Sequence, residues 1–168
     1  RILGAILSIH GDEKGIVLPP AVAPVQAVIV PILEKGRQEE ILQEAQRLHL
    51  ELRERMRVKL DDRDIRPGDK YYYWEARGVP IRVELGPRDL AKHAVTVVRR
   101  DNGQKRELPR DGLPDRIRSV LELMQIEMWD RAEKTLAENT FTITKLEDAK
   151  DGINRMGRCW GEGCGRAI

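Results

Sequence analysis

Aromatic side chains are scarce in this sequence: three Trp, three Tyr and one Phe make up 4% of 168 residues. The interior must therefore be aliphatic, and runs such as Val28-Ile29-Val30 and Ile81-Arg82-Val83 fit that. Cysteine is scarcer still. Cys159 and Cys164 are too few for the disulfide framework of a small secreted scaffold, and nothing else suggests secretion. No apolar run approaches the roughly 18–20 residues of a membrane-spanning helix. No signal-peptide pattern opens the chain, and a cytoplasmic location is the expectation. A dominant charge is missing as well. Lys and Arg number 30 against 28 Asp and Glu, a net charge of +2. A nucleic-acid partner would have to be announced by local clusters, not by the total.

What is present is a well-mixed chain, 40% hydrophobic and 35% charged, long enough for one ordinary domain and an appendage. Ile2 to Leu7 are apolar apart from Gly4, and the turn Gly11-Asp12-Glu13-Lys14-Gly15 follows. Periodicity leaves that first stretch open between buried helix and strand. Pro19-Pro20 reads as a linker. Val25 to Ile32 is nearly continuous in apolar residues, which predicts a strand buried on both faces, as in a parallel sheet. Ile41, Leu42, Ala45, Leu48, Leu52 and Met56 recur at helical spacing and predict a helix over 37–57. Val58 and Leu60 alternate with Lys59 and Asp61, a short second strand.

The turn Arg66-Pro67-Gly68-Asp69 leads into a short helix from Lys70 to Arg77, closed by Gly78. Strands are predicted over Val79–Leu85 and Ala94–Arg99, and Asp101-Asn102-Gly103 is a hairpin turn into an edge strand over Gln104–Leu108. Leu113, Ile117, Val120, Leu121, Met124, Met128, Ala132 and Leu136 mark a long amphipathic helix from about Pro114 to Glu138. The order predicts an α/β fold, a mixed sheet flanked by helices. After Asn139 the composition shifts toward the glycines 157, 161, 163 and 165.

Three stretches together resemble one family. Arg1-Ile2-Leu3-Gly4-Ala5-Ile6 is followed by His10-Gly11-Asp12 and Gly15-Ile16-Val17-Leu18-Pro19-Pro20. Ala23-Pro24-Val25-Gln26 runs into Val28-Ile29-Val30-Pro31-Ile32. The third block is Trp74-Glu75-Ala76-Arg77-Gly78-Val79-Pro80-Ile81-Arg82-Val83-Glu84-Leu85-Gly86-Pro87-Arg88-Asp89. In order and spacing these resemble the C-terminal half of class II prolyl-tRNA synthetases of the archaeal/eukaryotic type. The first two pieces recur in related class II enzymes, those for threonine included; the third is far more specific.

The resemblance implies a layout. Residues 1–19 correspond to the end of the catalytic domain, with Arg1 as the motif 3 arginine that contacts ATP. Residues 20–139 are the anticodon-binding domain, and 140–168 begin a zinc-binding domain. The implied partner is proline tRNA, not DNA or a membrane, and the parent is a homodimer that uses ATP with Mg. With the first two class II motifs and the proline pocket absent, this chain alone is expected to bind tRNA and not to activate proline.

The chemistry of reading a proline anticodon is independent of that likeness. Proline codons begin with two cytosines, so the anticodon presents two guanines. Single-stranded RNA is read by splaying bases and bonding their edges. A carboxylate accepts guanine's paired N–H donors, and an arginine fork donates to O6 and N7. By resemblance, Glu75, Arg82 and Arg88 are the residues in those roles. Lysine stands at the Arg88 position in many relatives, and either donates to O6 and N7. The bland alternatives are an ordinary Glu75–Arg82 surface ion pair, or pairing of Arg82 with Glu84, its neighbour on the same strand face.

Tyr71-Tyr72-Tyr73-Trp74 gathers more than half of the aromatic residues. They pack the short helix onto the sheet, or one of them stacks on a splayed base, with Tyr72 as the candidate. His10 and Asp12 read as loop hydrogen-bonding residues, with acid–base work as the sharper alternative. Arg99, Arg100, Lys105 and Arg106 read as a solvated basic edge. The helix over 37–57 carries Arg47, Arg53, Arg55 and Arg57 on an exposed charged face. Cys159 and Cys164 have metal-ligand spacing, but structural zinc needs four ligands, so they read as half a zinc site or as two free thiols. By resemblance the remaining ligands lie further downstream. The rival to a synthetase part is a stand-alone RNA- or protein-binding module on the same fold; charging of threonine by a related enzyme is a third reading, opposed by the Trp74–Asp89 block.

Overall fold

A computed structural model of the chain describes residues 1–34 and 36–140. Helix α1 covers Ile2–His10, strand β1 Ala27–Pro31, helix α2 Gln38–Arg53, strand β2 Val58–Leu60 and helix α3 Pro67–Ala76. Strand β3 covers Ile81–Leu85, helix α4 Pro87–Ala91, strand β4 Ala94–Arg99, strand β5 Lys105–Pro109 and helix α5 Leu113–Glu138. The five strands form one sheet in the order β2-β1-β3-β4-β5. β1 pairs in parallel with β2 and β3, while β3–β4 and β4–β5 are antiparallel. The predicted mixed α/β sheet is the observed one.

The apolar run of β1 sits at the centre of the parallel part, and all five of its residues are buried. Alternation along the strands sorts side chains to two faces. Ala27 and Ile29 of β1, Ile81, Val83 and Leu85 of β3, and Val95 and Val97 of β4 pack with Ala45, Leu48 and Leu52 of α2 and Leu113, Ile117 and Leu121 of α5. Val28 and Val30 face the other way, onto Trp74 of α3 and Val79. The same face carries Arg82 and Glu84 on β3, whose register opposes Arg82 to Val28 and Val98, and Glu84 to Val30 and Thr96. One face of the sheet is thus a full aliphatic core, and the other is apolar only where α3 lies on it.

Boundaries differ from the sequence reading where backbone geometry intervenes. α2 ends at Arg53 because Arg55 and Met56 both donate back to the Leu52 carbonyl in a tight turn that sends the chain into β2. α3 starts three residues earlier than expected, with Pro67 in its first turn. α4 begins directly after Gly86, between two predicted strands where no helix is expected. It is a helix because Pro87 opens it and Asp89 Oδ2 accepts the Gly86 N–H at 2.9 Å. The first apolar stretch is helical, but Ile2, Leu3, Leu7 and Ile9 are exposed; α5 is its helical neighbour, and Met124 and Met128 pack with Val17. Among the described residues, no helix is long and apolar enough to cross a membrane.

Candidate nucleic-acid interface

The C-terminal half of α3 and the strand β3 converge on one arginine. Arg82 lies in the middle of β3, where the strand geometry points it to the α3 face, and it is 9% exposed. Its Nε donates to Glu84 Oε1 at 2.9 Å and its Nη1 to Glu75 Oε1 at 3.1 Å. Its guanidinium carbon lies 3.9 Å from the centre of the Tyr71 ring. Both ion pairs weighed from sequence are present, and neither is the exposed surface pair that contributes little. Among the described residues no buried side-chain nitrogen or oxygen lacks a partner, and Nη2 has no acceptor there. Nη2 is therefore not fully enclosed and keeps its hydrogen-bonding capacity for an incoming group.

Glu75 sits in the last turn of α3, half-buried, and Lys14 Nζ approaches its second oxygen at 3.9 Å. That contact is beyond hydrogen-bond length, so Oε2 stays open to another donor. Glu84 is buried, with Lys105 Nζ at 4.0 Å on its far side. Tyr71 is half-buried, and its hydroxyl is pushed up to about 12 by burial first and by the Glu84 charge second, so it stays neutral. A cavity of about 20 Å³ adjoins the cluster, lined by Trp74, Glu75, Arg82 and Arg100 among others. It has room for one water and none for a base. Any base is met from outside.

Arg88 lies apart from the cluster, exposed on α4 just beyond the end of β3. Asp89 fixes that helix by accepting from Gly86 N at one oxygen and from Thr96 Oγ1, at 3.0 Å, at the other. Tyr72 is 74% exposed on the outer side of α3. Arg1 precedes α1, exposed. Cys159 and Cys164 lie outside the described residues, and among those described no group of His, Cys, Asp and Glu has metal-site geometry. A larger groove of about 250 Å³, lined by Glu44, Arg47, Leu85, His93 and Arg110 among others, contains none of the predicted reading residues.

α3 is held in place by residues that sequence reasoning did not single out. Asp61, buried at the end of β2, accepts from Trp74 Nε1 at 2.7 Å and from Arg63 at 2.8 and 2.6 Å. Burial pushes its carboxyl up, but those hydrogen bonds outweigh it and leave it below the usual range. Lys70, fully buried, donates to the Asp61 carbonyl at 3.0 Å, and desolvation lowers its ammonium.

The solvated basic edge is only half right. Arg99 and Arg100 are 4% and 9% exposed. Arg99 bonds Asp101 through two nitrogens at 2.9 Å and Glu127 of α5 at 2.6 Å. Arg100 clasps Asp12 at 2.6 Å through each terminal nitrogen, while its Nε donates to the Glu75 carbonyl at 2.9 Å. The clasp holds the Asp12 carboxyl below its ordinary range and gives that residue a structural task. His10 is lowered by burial and then by Arg131. Arg57 is exposed, as its charged-face reading expects, but lies past the end of α2 and pins the linker by donating to the carbonyls of Pro20, Ala21 and Ala23.

The profile of the family described as Anticodon binding domain matches residues 26–120, the stretch that builds the sheet, α2–α4 and the start of α5. The chain belongs to this anticodon-binding domain family. As such a domain, it places Glu75, Arg82 and Arg88 all within the matched segment, and Arg1, Cys159 and Cys164 outside it. Curated relatives named proline–tRNA ligase extend the likeness over nearly the whole chain. That of Methanopyrus kandleri is 42% identical over 98% of this chain, that of Methanococcus aeolicus 44% over 90%, and that of Methanothermobacter thermautotrophicus 43% over 100%. This chain spans about a third of the length of these relatives, 35%, 33% and 36% respectively.

Proposed function

We propose that this anticodon-binding domain is the tRNA-reading part of a cytoplasmic proline–tRNA ligase, in which Glu75, Arg82 and Arg88 recognise the anticodon guanines. The observation that carries the reading is Arg82: buried, gripped by two carboxylates at Nε and Nη1, with no hydrogen bond at Nη2 among the described residues. A site that must tell guanine O6 from the amino group of adenine needs a donor whose direction is fixed in advance. Glu75 Oε2, engaged only loosely by Lys14, is the acceptor for guanine N–H groups. Arg82 and Leu85, the last residue of β3, are three residues apart, roughly 10 Å of strand. Arg88, beyond that end, therefore addresses a different nucleotide.

In this reading residues 1–19 close a catalytic domain, 20–139 form the reader and 140–168 begin a zinc-binding domain. The complete ligase is a homodimer that attaches proline to its tRNA using ATP and Mg, and Arg1 supplies one contact to the ATP. A single exposed arginine is not a nucleotide site by itself, so the present chain binds tRNA without charging it.

The test is binding of this chain to a proline tRNA transcript, and to the same transcript with both anticodon guanines replaced by adenine, at two salt concentrations. Each bidentate contact discriminates by about 1–3 kcal/mol, roughly 5- to 150-fold. The expected result is a guanine preference that survives higher salt and is lost in Glu75→Ala and Arg82→Ala. Equal, salt-sensitive binding to both transcripts would reduce the site to a basic surface.

A further inference from the structure

Three consecutive tyrosines on α3 meet three different surroundings. Tyr73 has the Arg77 guanidinium 3.6 Å and the Arg63 guanidinium 4.1 Å from its ring centre, and meets Trp74 edge-on at 84°. Two guanidinium groups at such distances take opposite faces, so neither face of Tyr73 is left for a base. Tyr72 is 74% exposed. Tyr71 and Tyr73 both pack against the cluster of Val28, Val30, Trp74 and Val79, and of the three it is Tyr71 that has Arg82 over its ring.

The contact has a definite geometry. An N–H pointing at the ring would hold the guanidinium carbon farther off, at a bond length plus a hydrogen bond. A distance of 3.9 Å is close to the thickness of two stacked planar groups and places the guanidinium over the face of the ring. The two carboxylates grip Arg82 at Nε and at Nη1. Two grips define an axis, and about that axis a planar group can still rock. The ring beneath removes this remaining freedom. A base bonded to an arginine fork lies in the guanidinium plane, so whatever fixes that plane also fixes the tilt at which a base is accepted.

Resting on the reading of Arg82 as a guanine reader, we infer that Tyr71 is a positioning residue for anticodon recognition: its ring sets the plane in which Arg82 presents Nη2 to O6 and N7 of a splayed guanine. The residue acts through Arg82 and by its ring, not its hydroxyl. Tyr71→Phe keeps the platform. Tyr71→Leu and Tyr71→Met keep an apolar side chain in the half-buried position and remove it.

The experiment compares wild type, Tyr71→Phe, Tyr71→Leu, Tyr71→Met and Arg82→Ala for binding to the guanine and adenine transcripts, with urea denaturation of each protein alongside. Losing the stacking contact is expected to cut the guanine-over-adenine ratio by roughly 3- to 30-fold in Tyr71→Leu and Tyr71→Met. Affinity for the adenine transcript stays near wild type, and Tyr71→Phe restores the ratio. An unchanged ratio in a folded Leu or Met variant would overturn the inference, as would equal weakening toward both transcripts, which marks a packing residue. Loss of preference in Arg82→Ala with preference kept in Tyr71→Leu sinks this inference and leaves the anticodon reading standing. No guanine preference in the wild type sinks the anticodon reading itself.

Discussion

Removing the Asp61 carboxylate is the most exacting test of how α3, the carrier of Glu75 and Tyr71, is held to the sheet. Asp61 is 3% exposed and serves three neighbours: the Trp74 indole at 2.7 Å, the Arg63 guanidinium and, through charge, the buried Lys70 ammonium. The Arg63 side chain is 41% exposed and finds water when its partner goes, so that ion pair contributes little to the loss. The other two cannot reach water as easily. An orphaned indole N–H costs about 1–3 kcal/mol. Lys70 loses the nearest compensation for a charge already penalised by burial, which adds to the loss. Asp61→Ala is therefore expected to destabilise by about 2–4 kcal/mol in total. Asp61→Asn keeps an acceptor for Trp74 and loses the charge, so it should fall between. Urea denaturation followed by far-UV circular dichroism reads both. An alanine variant within about 1 kcal/mol of wild type would refute the argument, because surface-like changes lie in that range. So would an asparagine variant as damaged as the alanine, since the indole bond would then count for nothing.

Other perturbations separate causes in the same way. Gly78 has φ +69°, and a Cβ there would stand 2.6 Å from the Ile16 carbonyl oxygen, so Gly78→Ala should cost about 2 kcal/mol or more in urea denaturation. Gly68 in α3 meets nothing within 4 Å, and Gly68→Ala should stabilise by about 0.5–1 kcal/mol; a loss at Gly68 as large as at Gly78 would refute the steric account. Asp12 and Asp61 are both held below 3.8, so their contribution is complete above that pH and is lost as pH falls through their depressed folded values. Urea midpoints measured across acid pH should drop in that window, and Asp12→Asn should flatten part of the drop.

Much of this architecture was legible because its signals are local. Val28-Ile29-Val30 announced a strand buried on both faces, and the repeats from Ile41 and from Leu113 announced two helices. Spacing on one strand face offered the Arg82–Glu84 pair, and the Glu75–Arg82 pair stood beside it as a bland alternative to base reading; the structure forms both. What stayed hidden depends on partners far away in sequence. Arg99 and Arg100 beside a Asp-Asn-Gly turn look like a wet edge, yet their partners include Glu127 and Asp12, 28 and 88 positions away. The grip of Asp61 on Trp74 spans 13 positions and crosses from a strand to a helix. α4 is five residues long, too short for periodicity to show; Pro87 and Asp89 at its start were the available sign. Among three adjacent tyrosines, helical phase alone did not choose the one that meets Arg82.

The clasp between Asp12 and Arg100 also bears on the order in which the molecule can assemble. Its two ends are 88 residues apart, and drawing together so long a loop costs chain entropy before the contact returns anything. α1 and the turn after it precede the sheet in sequence, yet the arginine that fastens them is the residue just past β4. The opening segment therefore has to wait, its apolar helix unfastened, until nearly all of the sheet has been made. The fastening of α1 beside the sheet is therefore completed at the end of folding and not at the beginning.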